Sequence, residues 1–198
     1  MSRPPAPHRP RPPLLPLAAA VVAALAPDAA GSIVRALSLT QLVEQSDSVV
    51  LATVESASSA WLDGRIVTDS VVVVGEGLAG AAGGERMVVR TLGGEVDGIG
   101  QKVFGEPQLR WGERYLLFLE EYPAGGGPSS AIFRAVGMSQ GALPVVDGPG
   151  GARVVPNPDL PELVEPGVEM SVGPWLDVPR PLEDVLTEVR AAVDEAGN

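Results

Sequence analysis

Carboxylates are the only plentiful groups in this chain with the makings of a chemical site. Among 198 residues there are 25 Asp and Glu against 14 Lys and Arg, with a single histidine, His8, a single lysine, Lys102, and no cysteine. A serine, threonine or cysteine nucleophile needs a base beside it. Beyond residue 31 the chain offers neither His nor Cys, and a serine with lysine as base would have to use Lys102, around which no supporting motif stands. Cleavage of a glycosidic bond, in contrast, can run on two carboxylates. Glu95, Asp97 and Glu106 fall in one glycine-rich region, 93 to 107, where a pair could face a cleft. The competing reading is that they are solvated acids of an exposed loop. Asp63, Asp69 and Glu113 are better explained as turn or barrel-closing residues.

Other site chemistries find no pattern. A calcium loop needs oxygen ligands at regular spacing, and Glu95-Val96-Asp97-Gly98 is only a fragment of one. Gly93 to Gly100 lacks the lysine and hydroxyl of a phosphate loop. Three tryptophans remain. Trp61, next to a turn, fits an exposed contact, whereas Trp111, beside a glycine bend, fits a core or barrel-lid position as well as a ligand groove. The ligand-binding candidates are therefore Trp61, Glu95, Asp97, Glu106 and Trp111, with no catalytic residue, metal site or cofactor assigned.

The elements that must position these residues centre on Arg90 to Glu120. Tyr115-Leu116-Leu117-Phe118-Leu119 is too short for a membrane span and lacks helical spacing, so it reads as a central strand buried on both faces. The glycines before it let the chain turn with positive φ and re-enter the sheet.

Upstream, Ser38-Leu39-Thr40-Gln41 has the form of a capping box, which predicts a helix from Leu39 to about Gln45 with Leu39, Leu42 and Val43 inward. Strands are predicted at 48–56, with Val50, Ala52 and Val54 on one face, at 65–74 after the turn Asp63-Gly64, and at 85–92. Further strands follow the central one at 131–136 and as a hairpin over 142–155 that turns at Asp147-Gly148-Pro149-Gly150. Gly137 to Gly141 interrupts the pattern. Residues 156–181 carry seven prolines and read as an extended wrap or linker that supplies no sheet element, with Val168, Met170, Val172, Trp175 and Leu176 lying against the sheet. Residues 182–198 close the chain, with an amphipathic helix from Leu182 to Ala196 that buries Leu182, Val185, Leu186, Val189 and Val193.

Residues 1–31 read as an export signal: Arg3, Arg9 and Arg11, an apolar run from Leu14 to Ala26, and the small residues Ala29-Ala30-Gly31. The alternatives are an uncleaved tether or a Pro-rich tail. Cleavage would remove three arginines and one aspartate, leaving 11 basic and 24 acidic residues and a formal charge of −13. Such a surface repels phosphate backbones, so no nucleic acid is expected as a partner, and the membrane is met only through the signal. The location expected is secreted or periplasmic.

One short helix, five or six strands and a glycine bend before a central strand suggest a small barrel over residues 32–155. The runs Ser46 to Val54, Ile66-Val67-Thr68-Asp69, Gly93-Gly94, Gly105-Glu106-Pro107, Gly112 to Leu119 and Gly137 to Gly141 resemble exported bacterial proteins with a netrin-like, or tissue-inhibitor-of-metalloproteinase-like, OB barrel. The resemblance spans residues 38 to about 146 and implies a mainly β, OB-like antiparallel barrel flanked by the two helices. The animal inhibitors reach a protease zinc through an N-terminal cysteine, and this cysteine-free chain cannot carry that mechanism over. The function expected is an exported, non-enzymatic binding module for a protein or saccharide. The alternatives are a carboxylate-dependent polysaccharide hydrolase and a structural or assembly element of an envelope complex.

Overall fold

β-Branched runs punctuated by Gly and Asp-Gly turns fold here into a mainly β molecule, with two helices among the described residues. The computed structural model describes residues 33–122, 131–164 and 175–197. The expected export signal, the loop 123–130, and Val168, Met170 and Val172 of the expected wrap lie outside them.

In chain order the elements are β1 (Ile33–Arg35), α1 (Leu39–Glu44), β2 (Ser48–Leu62), β3 (Arg65–Ala79), β4 (Arg86–Val96), β5 (Ile99–Lys102), β6 (Arg114–Tyr122), β7 (Ile132–Ala135), β8 (Ala142–Gly148), β9 (Gly151–Val154), β10 (Glu162–Val164), β11 (Arg180–Pro181) and α2 (Leu182–Ala196). β1 and β10 form a separate parallel pair. The other nine strands form one sheet in which β2, β3, β4, β7 and β6 pair in a closed ring, with β4 and β7 parallel and the other neighbours antiparallel. From β6 the sheet continues outward through β8, β9 and β11.

β6 holds the two halves together because it is apolar on both faces. Tyr115, Leu117 and Leu119 point into the ring, against Val50, Ala52, Val54, Val72, Met87 and Val89. Leu116 and Phe118 point out, into a second core completed by Leu42 of α1, Leu143 of β8, Leu176, and Val185, Leu186 and Val189 of α2. Trp175 meets Phe118 edge-on at 6.1 Å between ring centroids, and its indole N–H donates to Glu188 at 2.9 Å. The central strand is thus buried on both faces, as the sequence predicts.

One side of β6 is shared. β8 pairs with Arg114–Leu117 and β7 with Leu119–Tyr122, so the chain between β7 and β8 must step from ring to outer sheet. A 3-10 turn, Met138–Gly141, makes that step, entered through Gly137 at φ 61°. A Cβ at Gly141 would collide with the Val136 carbonyl, so only glycine fits there. The buried Gln140 amide accepts from the Leu37 N–H and donates to the Arg35 carbonyl, tying the start of the domain to this turn.

The helix ends follow local chemistry. Ser38 Oγ accepts from the Gln41 N–H at 3.2 Å and the Gln41 side chain accepts from the Ser38 N–H at 3.0 Å, the reciprocal cap expected. α2 occupies the predicted residues, with Glu183 and Asp184 in its first turn, where the helix dipole favours them.

Four expectations need correction. The Pro-rich stretch 156–181 does supply sheet elements, since β10 pairs with β1 and β11 with β9 where no proline amide is needed for the ladder. β2 and β3 run on to Leu62 and Ala79 because each supplies the other's backbone partners, from Leu62↔Arg65 to Val49↔Ala79. β4 does not stop at Leu92. It passes through Gly93 (φ 97°) and Gly94 (φ 129°) and turns at Asp97-Gly98 into β5, a strand the sequence did not signal. Trp111 belongs to no core: it is 78% exposed, on the turn before β6.

Candidate functional site

The loop between β5 and β6 carries Glu106 and is fixed at both ends. Tyr115 is buried in β6 and its hydroxyl reaches back into the loop. There it accepts from the Arg110 N–H at 3.2 Å and lies 2.8 Å from the Glu113 carboxylate and 3.2 Å from the Gln108 carbonyl as donor. Burial, with Glu113 adding to it, pushes the phenol up to about 12. It therefore stays protonated and can donate. At the other end the Gly105 carbonyl accepts from the Ser139 N–H at 2.9 Å. Glu106 stands between these two anchors.

Glu106 completes the wall of the ring. β4 pairs with β7 only through Val88 and Val89. Beyond them the Leu92 N–H donates to Glu106 Oε2 at 3.3 Å, a side-chain oxygen standing where a strand would supply a carbonyl. Burial raises the Glu106 carboxyl above the usual range, against the opposing pull of the Leu92 N–H and the Arg134 guanidinium.

Two clefts adjoin at this point and share Thr91, Leu92 and Glu106. The first, about 440 Å³, has apolar walls of Leu62, Val67, Leu92 and Tyr122 and carries Arg65, Arg90 and Arg134. Strand alternation explains this set: on β4, Met87 and Val89 face the enclosed core, which turns Arg90 and Leu92 outward, and the same holds for Arg134 beside Ala135. Two of the arginines are held. Arg90 Nε and Nη2 donate to the two Asp69 oxygens across the β3–β4 ladder at 2.6 and 2.7 Å. Arg134 donates to Glu120 at 2.8 Å and stacks over the Tyr122 ring at 5.5 Å. Arg65 is exposed, at the mouth of the β2–β3 hairpin, and no carboxylate pairs with it among the described residues.

The second cleft, about 510 Å³, lies at the β4–β5 hairpin and is bordered by Ser59, Thr68, Glu95, Gln101, Lys102 and Arg110. Thr68 Oγ1 donates to the Gly93 carbonyl at 2.7 Å and shares a hydrogen bond with Ser59. A Cβ at Gly94 would strike both hydroxyls, so this glycine sets how closely the hairpin approaches β2 and β3.

The five sequence candidates are only partly brought together. Glu95 and Glu106 border the second cleft. Asp97 sits exposed at the hairpin tip with φ 52° and lines none of the described clefts. Trp61 is 49% exposed, in keeping with an exposed contact, but it lies on the opposite face of the hairpin from the first cleft, and Trp111 borders neither cleft. Asp63 stands in the β2–β3 turn at φ 47°, as expected, whereas Asp69 lies within β3 and pairs with Arg90 instead of turning the chain or closing the ring, and Glu113 accepts from the Tyr115 hydroxyl.

The sequence reading missed Arg65, Arg90, Arg134 and Tyr122. The available signal was the placing of arginines at outward positions of otherwise apolar strands in an acidic chain. Which of them converge depends on the parallel pairing of β4 with β7, a non-local contact. Among the described residues no group of three or more His, Cys, Asp or Glu could hold a metal ion, and no helix is long and apolar enough to cross a membrane. No family model matches the chain, and no curated protein matches its sequence.

Proposed function

We propose that this chain is an exported binding module on a small OB-like barrel of netrin-like resemblance, and that it takes a saccharide in the cleft beside Glu106. The single observation that carries this reading is the composition of that cleft. Arg90 and Arg134 are each held by a carboxylate, so their remaining N–H groups are oriented without new ordering cost, and an aromatic and two leucines supply apolar faces. Hydroxyl-rich ligands need both: oriented donors and acceptors for their hydroxyls, and apolar surface for their C–H faces. The five-strand ring with its enclosed core supports the barrel part of the reading.

Calorimetric titration with a panel of envelope and extracellular oligosaccharides tests it. At least one should bind, and Arg134→Ala and Tyr122→Ala should each weaken it by about tenfold or more. Binding indifferent to both substitutions, or no binding by any saccharide, would remove the reading; a protein ligand is then the class left.

A second reading has one observation in its favour. Glu95 and Glu106 border one cleft, and burial favours the protonated form of Glu106, as a general acid requires. It expects hydrolysis of a polysaccharide that disappears in Glu106→Gln. A bound saccharide recovered intact after long incubation would exclude it.

A further inference from the structure

The β2–β3 hairpin leaves one strand edge without a neighbour. β2 pairs with β3 along its whole length and with β6 on its other side only from Ser48 to Thr53. One more residue is covered: Val54 donates to the Glu113 carbonyl at 3.0 Å and accepts from the Gly112 N–H at 2.9 Å. Then β6 ends at the Trp111-Gly112 turn and β2 continues alone. Among the described residues nothing bonds to the outer backbone edge of Glu55-Ser56-Ala57-Ser58-Ser59-Ala60-Trp61-Leu62, and all but Ser59 are exposed. Every second residue there turns its N–H and C=O away from β3, into solvent.

Exposed edges are normally blunted by lysine, proline, inward charge or bulges. This one has a single bulge, at Glu55, where the β2–β3 register shifts. From Ser56 to Leu62 it has no charge and no proline. Glu55 itself is neutralised by Arg86, which donates to both its oxygens at 2.8 and 2.9 Å.

We infer that this edge pairs with the same edge of a second copy of the chain, antiparallel about a two-fold axis through Ser59. In such a pairing directly opposite residues share a face, so the two positions of each pair must have the same parity. Centring on Ser59 meets that condition. It sets Ser58 opposite Ala60, Ala57 opposite Trp61 and Ser56 opposite Leu62. Each large side chain at one end then meets a small one from the other copy, twice by symmetry. Trp111, 78% exposed and next in sequence to the Gly112 amide that bonds Val54, comes to lie beside the other copy's hairpin turn and covers the end of the added ladder. The same symmetry is why a second copy is favoured over an unrelated peptide: both of its ends are already provided for by this chain. The acidic surface opposes association, but no charge stands in the contact strand, so the repulsion is long-range and is screened by salt.

Sedimentation velocity of the full chain over a concentration series is expected to show a reversible monomer–dimer equilibrium that tightens as salt is raised. Ser58→Lys places a charge on the exposed face of the edge and should raise the dimer dissociation constant by about tenfold or more with unchanged circular dichroism. Because the variant keeps residues 1–31, its loss of dimer isolates the edge from any association through that apolar run. The chain has no cysteine, so Ser59→Cys should give a reducible covalent dimer on mild oxidation. A chain monomeric at every concentration overturns the inference. So does a dimer that withstands Ser58→Lys and does not cross-link through Ser59→Cys, and so does a monomeric chain whose edge instead takes an extended peptide from another protein.

Discussion

Glu106 shows most directly how burial sets the behaviour of one residue. Its carboxyl is raised above the usual value because it sits in the wall of the ring, so its ionised form is disfavoured by folding. The sign follows from linkage: a carboxyl raised in the folded state contributes stability that is fully present below its unfolded value and lost as pH rises through the folded one. Glu106→Gln keeps an acceptor for the Leu92 N–H and is expected to flatten that fall, read as the difference between the two urea stabilities from the ordinary carboxylate range upward. Equal slopes for the two proteins would show that Glu106 is solvated. Ser70 offers a second test. It is fully buried on the ring-facing side of β3, and its hydroxyl has no partner among the described residues. Ser70→Ala removes an uncompensated polar group and should stabilise the fold by roughly 1 kcal/mol in urea unfolding. A loss of stability would mean that the hydroxyl is bonded in solution.

At the scale of the element, the β4–β5 hairpin and α2 depend on different physics. The hairpin is set by backbone geometry: Gly94 has φ 129° and its missing Cβ makes room for Ser59 and Thr68. Gly94→Ala is expected to cost about 2 kcal/mol or more and to disturb the second cleft while leaving β6 protected from hydrogen exchange. α2 is held by packing, through Val185, Leu186 and Val189 in the outer core. Leu186→Ala should cost about 2–5 kcal/mol, the range for emptying a leucine site in a core that only partly collapses. Thermal or urea midpoints measure both, and a neutral Leu186→Ala would place α2 off the sheet.

For the whole molecule the decisive feature is that the two cores meet at one strand. Leu117 and Phe118 are both fully buried, on opposite faces of β6, so neither core can open without exposing the strand they share. Unfolding is therefore expected to be a single transition, with far-UV circular dichroism and tryptophan emission coincident. The emission change should come mainly from Trp175, since Trp61 and Trp111 are largely exposed in the folded state. Trp175→Phe should remove most of it; two separated transitions would show that ring and outer layer fold independently.

Local rules were enough for the elements whose stabilising partners lie near in sequence. Ser38 and Gln41 cap their own helix, Asp63-Gly64 turns its own hairpin, and five consecutive apolar residues need a neighbour on each face whatever that neighbour is. Sequence could not show that Ala57 to Ala60, weak strand formers, would be extended, because β3 supplies the reason. Nor could it show which acid would be drawn partly out of water. Glu95, Asp97 and Glu106 read alike along the chain, and only the closure of β4 against β7 leaves a gap that Glu106 fills while Asp97 stays in water. A residue's type sets the chemistry it can do. Its burial and its neighbours come from contacts many residues away, and those exist only once the ring has closed.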